Sequence, residues 1–267
     1  MTVERRWRIA LRVAALGYLA LLLLIPVGMI FYRTFEHGVS AVWDSITTPA
    51  AISAFSLTLE VTAIAVPLNT AFGIVCALAL VRGRLPGRAI LDAIIDLPFA
   101  VSPIVIGLSL ILVYGSNGWL HALPDAGVRI IFSTPGIVLA TIFVSVPFVV
   151  REVTPVLREV GHEPEQAAAT LGAGGWQTFW RITLPAIRWG VAYGVVLSTA
   201  RAIGEFGAVS VVSGKISGET ETLTLLVEKR FQNFDLAGAY AASALMAVIA
   251  LVTLLAMTVL QRKGDAR

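Results

Sequence analysis

The chain is poor in the side chains that most site chemistry needs. It has 1 cysteine and 3 histidines in 267 residues. Disulfide frameworks, zinc ribbons and haem-type His/Cys clusters need more of both and are excluded. Charge is scarce too. Asp, Glu, Lys and Arg make up 14% of the chain, against about 25% in soluble globular domains. Apolar residues reach 57%, and mean hydropathy is +0.83. That surplus exceeds what a water-soluble core of this size hides. It is equally far from the polar composition of a disordered chain. A formal net charge of +3 is too small to draw nucleic acid. The class left is an all-α polytopic membrane protein, with residues 1–267 forming a single transmembrane domain.

Six apolar stretches stand out, at 9–31, 57–81, 89–114, 135–150, 189–212 and 240–260. About 20 helical residues cross a hydrocarbon core of about 30 Å. The fourth stretch meets Arg151 early and is expected to continue through Val153, Val156 and Leu157. Continuous rather than alternating runs exclude a β-barrel. Arg5, Arg6, Arg8 and Arg12 fit a signal-peptide start. The apolar run 13–31 is longer than an h-region, and no small-residue cleavage site follows, so a retained span is expected. With the N-terminus inside, segments 5–12, 82–88, 151–188 and 262–267 put 14 Lys and Arg in the cytoplasm. The outer side receives 4, namely Arg129, Lys215, Lys229 and Arg230. This positive-inside bias predicts six spans with both termini in the cytoplasm.

The spans are not uniformly oily. Pro67, Pro98, Pro103 and Pro147 interrupt helix ladders, and Gly73, Gly107, Gly204 and Gly207 thin the surface. Singly each reads as a kink or a packing contact; together they fit a mobile, cavity-forming bundle. Arg201 and Glu205 stand four apart in the fifth stretch. A mid-bilayer charge costs about 2.5–3.5 kcal/mol or more, so the two are expected to share a helix face and pair inside the bundle. In the last outer loop, 222–230 puts Leu223, Leu226 and Val227 on one face. That pattern predicts a short amphipathic helix at the outer surface, either a lid or a docking surface.

The inner loop 158–188 is long for a bundle, where connections run about 2–8 residues. Pro164 suits a first helical turn, with Glu163 and Glu165 at the helix's positive end. Residues 166–171 continue the helix, and Gly172, Gly174 and Gly175 stop it. A second short helix is expected over 176–182, ending at Leu184-Pro185. From these residues alone two readings stay open: a helix gripped in a partner's groove, or a connector lying on lipid headgroups.

The run Glu165-Gln166-Ala167-Ala168-Ala169-Thr170-Leu171-Gly172, with Ile182, Leu184 and Pro185, resembles the EAA motif of ABC importer permeases. The family pattern is Glu-Ala-Ala, three residues, Gly, nine residues, then I-x-L-P; here Ala167, Ala168 and Gly172 fit, and 173–181 supplies the nine. The one departure is Gln166 at the glutamate position, with Glu165 directly before it. Together with six spans, the resemblance covers nearly the full chain and implies the type I ABC importer permease fold. Segments 96–103 and 200–208 resemble the sulfate/molybdate branch. Segment 214–223, with Val227, Glu228 and Phe234, is most similar to the CysW group of sulfate/thiosulfate permeases.

The resemblance implies one permease half of an importer for sulfate or thiosulfate, in the cytoplasmic (inner) membrane. A molybdate or tungstate permease is the alternative. The resemblance implies coupling to an ATPase through Glu165, Ala167, Ala168, Gly172, Phe179, Ile182, Leu184 and Pro185 within the loop 158–188. It implies a translocation path or gate at Arg201, Gly204, Glu205, Phe206 and Gly207. Arg201 is then either half of a structural ion pair or also a residue facing the anion's path. The implied partners are two ATP-binding subunits holding ATP and magnesium, a homologous CysT-like permease and an extracytoplasmic sulfate-binding protein. No catalytic site, cofactor or metal is expected in this chain. The sequence agrees on ATP: a phosphate-binding loop ending at Gly214-Lys215 would need Gly where Val209 stands and Ser or Thr where Ile216 stands. An ion-driven secondary transporter would need midplane relay residues beyond Arg201 and Glu205. An intramembrane aspartyl protease would need its aspartates on two helices, whereas Asp92 and Asp96 lie on one.

Overall fold

The computed structural model of the chain describes residues 2–36, 38–83, 86–122 and 126–265. Arg84 and Arg267, part of the charge bias, lie outside the described residues, as do the side chains of Arg5, Arg6, Arg262 and Lys263. The described secondary structure is helical. In chain order the helices are α1 (Thr2–Phe35), α2 (Val39–Ile46), α3 (Pro49–Val81), α4 (Arg88–Ala100), α5 (Pro103–Tyr114) and α6 (Thr134–Val160). Then come α7 (Glu163–Thr170), α8 (Gly175–Thr178), a π turn (Phe179–Thr183), α9 (Leu184–Ile203), α10 (Val209–Val212), α11 (Leu223–Gln232) and α12 (Leu236–Asp265).

Helix starts follow local chemistry. The Thr48 hydroxyl accepts the Ala51 N–H at the head of α3, and Pro49 occupies the first turn, where a missing N–H costs nothing. Pro135 does the same for α6, which runs past Arg151 to Val160 as the sequence requires.

Three long helices, α3, α6 and α9, form the centre. Ala77, Val149, Val153, Leu157 and Ile187 make one buried cluster among them. Small residues set their spacing. A Cβ on Gly73 would lie 2.7 Å from Val149 Cβ, and one on Gly194 would lie 2.9 Å from Val149 Cα. Membrane helices approach closely in this way because lipid supplies no hydrophobic drive for association. Inside the contact, Asn69 Nδ2 of α3 donates to Ser145 Oγ of α6 at 2.8 Å.

Of the six spans expected, fewer form as single long helices among the described residues. Among the described residues, four helices are long and apolar enough to cross a membrane: Trp7–Phe35, Pro49–Val81, Thr134–Val160 and Leu236–Val259. A fifth crossing arises only if α4 and α5, bent by 112°, count as one. The bend has a clear cause. Ser102 precedes Pro103, whose ring disfavours helical backbone at the residue before it, and Val101 and Ser102 are both extended. The stretch expected at 189–212 is also divided. Helix α9 ends at Ile203, and α10 begins only at Val209. The predicted helix at 222–230 forms as α11, but its apolar face is inserted rather than lying on a surface. Leu223 and Leu226 pack with Ala51, Ala54 and Ala242 between α3 and α12.

Candidate functional site

The loop between α6 and α9 is built around two glycines. Gly161 (φ +68) ends α6, and Gly172 (φ +84) ends α7. At the second, Ala173 N–H reaches Ala168 O and Gly172 N–H reaches Ala169 O, both at 3.0 Å. This six-to-one and five-to-two pair closes a helix through a left-handed residue, which glycine adopts without a Cβ clash. The predicted helix over 164–171 is thus α7, shifted by one residue.

The second short helix departs from expectation. Leu184-Pro185 does not end it. Residues 179–183 form a π turn that runs directly into α9. Pro185 has no N–H for the Arg181 carbonyl, and its ring crowds that carbonyl, so the helix widens by one residue. Leu184 N–H bonds back to Phe179 O, five residues earlier.

The predicted coupling residues fall into separate groups. Ala167, Ala168, Gly172 and Ile182 line one cleft of about 410 Å³ between α7 and the π turn. Phe179 lies with Trp176 and Trp180, ring centroids 5.5–6.1 Å apart. Leu184 packs against the buried α3–α6–α9 cluster, and Pro185 is exposed. Glu165 points inward. Its Oε2 lies 2.9 Å from Arg82 Nε, and its Oε1 accepts the Thr183 hydroxyl at 2.9 Å. Arg82 and Thr183 were not legible as partners, because neither belongs to the motif-like run.

The predicted path residues do meet at one place, the break between α9 and α10. Arg201 Nη1 is 2.5 Å from Glu205 Oε2, as the spacing predicts. They are not on one continuous helix face, however: α9 ends between them. The Glu205 side chain is 2% exposed and that of Arg201 28%. Glu205 Oε1 also accepts the Ala208 N–H at 2.8 Å, so one carboxylate holds both sides of the break. The segment packs directly on α5. A Cβ on Gly207 would fall 2.8 Å from Pro103 Cβ, and one on Gly107 would fall 2.8 Å from Ala208 O. Phe206 is partly exposed.

Two residues of α11 complete this site. Thr224 Oγ1 donates to Glu205 O at 2.8 Å, and Leu223 N–H donates to Thr58 Oγ1 of α3 at 2.9 Å. A small cavity of about 10 Å³ lies among Thr58, Thr141, Glu205 and Thr222. That is about the size of one water probe. At the other end, Arg151 binds Asp96 through Nε at 2.7 Å and also through Nη2, and Nη2 lies 3.1 Å from Asp92. Both aspartates of α4 are therefore tied to α6. Among the described residues no group of three or more His, Cys, Asp or Glu is placed to hold a metal.

The chain is similar to known proteins in sequence and in fold. Residues 69–265 match the family described as binding-protein-dependent transport system inner membrane component. The sulfate transport system permease protein CysW of Synechocystis sp. is 49% identical over 250 residues, covering 93% of this chain and 91% of that protein. CysW of Escherichia coli K12 is 49% identical over 243 residues, covering 91% of this chain and 84% of that one. The sulfate transport system permease protein CysT of the same bacterium is 37% identical over 254 residues, covering 95% and 92%. In fold, the chain is similar to a solved structure of a bacterial ABC transporter involved in import of the acidic polysaccharide alginate. The TM-score is 0.78 at 20% identity, covering 98% of this chain and 97% of that one.

The chain belongs to the binding-protein-dependent inner-membrane permeases, the non-catalytic, multi-pass subunits of ABC importers. Within them its relationship is to the CysW type.

Proposed function

We propose that this chain is one of two permease halves of an importer that carries sulfate or thiosulfate inward, driven by ATP hydrolysed on separate subunits. The observation that carries this reading is 49% identity over 93% of the chain to a sulfate transport permease. A CysT-like permease supplies the second half. An extracytoplasmic sulfate-binding protein delivers the anion, and two ATP-binding subunits hold ATP and magnesium. Six crossings with both termini in the cytoplasm follow if the α4–α5 pair and the broken α9–α10 segment each count as one. The positive-inside bias supports that orientation.

In this reading α7 docks in a groove on an ATP-binding subunit. Small Ala167, Ala168 and Gly172 beside the cleft allow close approach. The π turn joins the loop to α9 without interruption, so displacement of the loop reaches Arg201 and the break at Gly204–Gly207. Arg201 attracts a divalent anion, while Glu205 tempers its charge and keeps the binding well shallow. Purification of the native complex through a tag on this chain tests the proposal. Two ATP-binding subunits, a homologous permease and ATPase activity raised by the sulfate-loaded binding protein are expected. Isolation of a complex without an ATPase subunit, or stimulation by molybdate alone, would contradict it.

A further inference from the structure

Helix α7 hangs between two glycines with left-handed backbone, Gly161 and Gly172. A Cβ built on Gly161 or on Gly172 would meet no atom within 4 Å. Side-chain contacts tie the helix to its neighbours, and they converge on Arg82 and Glu165. Arg82 caps the end of α3. Its Nη2 donates to the Gly161 carbonyl at 2.5 Å, and its Nε lies 2.9 Å from Glu165 Oε2. The same carboxylate accepts the Thr183 hydroxyl from the π turn. The arginine and glutamate side chains are 14% and 21% exposed, so the pair is weakly screened. Each also sits at a helix end that favours its charge. Arg82 lies at the negative end of α3, and Glu165 at the positive end of α7.

We infer that Arg82 is a positioning residue for transport: with Glu165 and Thr183 it latches the coupling helix to α3 and α9, so that the three move together. The inference rests on the reading of α7 as the ATPase-docking helix. It assigns the glutamate of the motif-like run to this chain's interior and leaves docking to the cleft residues. It also gives a docking force two routes. One passes through Thr183 and the π turn into α9 and the break. The other passes through Arg82 into α3, whose Thr58 holds α11 at the opposite end. Breaking the latch leaves α7 free to swivel on its glycines, and binding at α7 no longer moves the span helices.

The test uses the complete complex in proteoliposomes, with radiolabelled sulfate and its binding protein outside and ATP available to the ATPase subunits. Arg82→Gln and Thr183→Val are made singly, along with the charge swap Arg82→Glu with Glu165→Arg. Arg82→Gln is expected to keep the ATPase subunits bound and their basal hydrolysis near wild type. Uptake should fall about tenfold, and ATP consumed per sulfate imported should rise by a similar factor. Thr183→Val should shift the same ratio less. The swap restores the ion pair but loses the bond to Gly161 and the acceptor for the Thr183 hydroxyl. It also sets each charge against its helix end, so it should recover only a small part of the loss. A wild-type ratio in Arg82→Gln would overturn the latch. So would a swap no better than Arg82→Gln. Should Arg82→Gln lose the ATPase subunits instead, recovery of assembly by the swap supports the latch, and its absence overturns it. Ala168→Trp separates the underlying reading, because it fills the docking cleft and leaves all three latch residues intact. It should abolish ATPase association; normal transport in that variant would refute docking at α7 whatever the latch variants do.

Discussion

The Thr224 hydroxyl donates a 2.8 Å hydrogen bond to the backbone carbonyl of Glu205, 19 residues away in sequence. This bond fastens α11 to the break between α9 and α10. Thr224→Val keeps the side chain's size and removes its donor. A buried carbonyl left without a partner costs about 1–3 kcal/mol. The thermal midpoint of the purified complex is expected to fall, and Thr224→Ser is expected to restore most of it. An unchanged midpoint in Thr224→Val would contradict the tie.

Arg201 and Glu205 test whether the break serves the anion. Removing one partner of a buried pair costs about 3–5 kcal/mol, so either single Gln substitution should impair assembly. Arg201→Gln combined with Glu205→Gln removes both charges at nearly constant size. Assembly should recover, while sulfate uptake stays at least about tenfold low and basal ATPase activity persists. Full uptake by the assembled double variant would reduce the pair to a structural role.

Gly172 separates backbone demand from close approach. Its φ of +84 lies in the left-handed region, and the space beside it within this chain is open. A non-glycine residue there costs about 1–2 kcal/mol, with Asn tolerated better than most. Uptake should therefore rank Gly172 above Gly172→Asn, and Gly172→Asn above Gly172→Ala. The reverse order of the two variants would show that the docked partner, not the turn, excludes a side chain.

Orientation is checked by accessibility. In a Cys76→Ser background, Ser40→Cys and Ser217→Cys should react with an impermeant thiol reagent added outside. Gln177→Cys should react only after the membrane is opened. Labelling of Gln177→Cys from outside would reverse the topology.

What the sequence made legible depends on the range of the physics. Hydropathy is local, and it located the long helices; continuation of α6 past Arg151 was visible in Val153, Val156 and Leu157. The i,i+4 rule found Arg201–Glu205, and glycine placement found the end of α7. Breaks were harder. Pro103 and Gly204 were visible as tolerated irregularities, yet hydropathy averages over them, so 89–114 and 189–212 read as unbroken. In the structure those stretches are divided by the extended backbone at Val101–Ser102 before Pro103 and by the non-helical segment between Ile203 and Val209. Long-range polar partners were not legible at all. Arg82–Glu165, Thr58–Leu223 and Thr224–Glu205 join ordinary residues that the fold alone brings together. A buried Thr or a cap-position Arg carries no sequence signal of its partner.

Sulfate uptake by the reconstituted complex tests the central claim most directly. Proteoliposomes holding this chain, its homologous permease and the two ATP-binding subunits would be given radiolabelled sulfate and the sulfate-binding protein outside, with ATP inside. The account predicts ATP-dependent accumulation of label, competed by thiosulfate and lost when the ATPase subunits are omitted. Accumulation that needs an ion gradient but no ATP, or transport of molybdate with none of sulfate or thiosulfate, would contradict it.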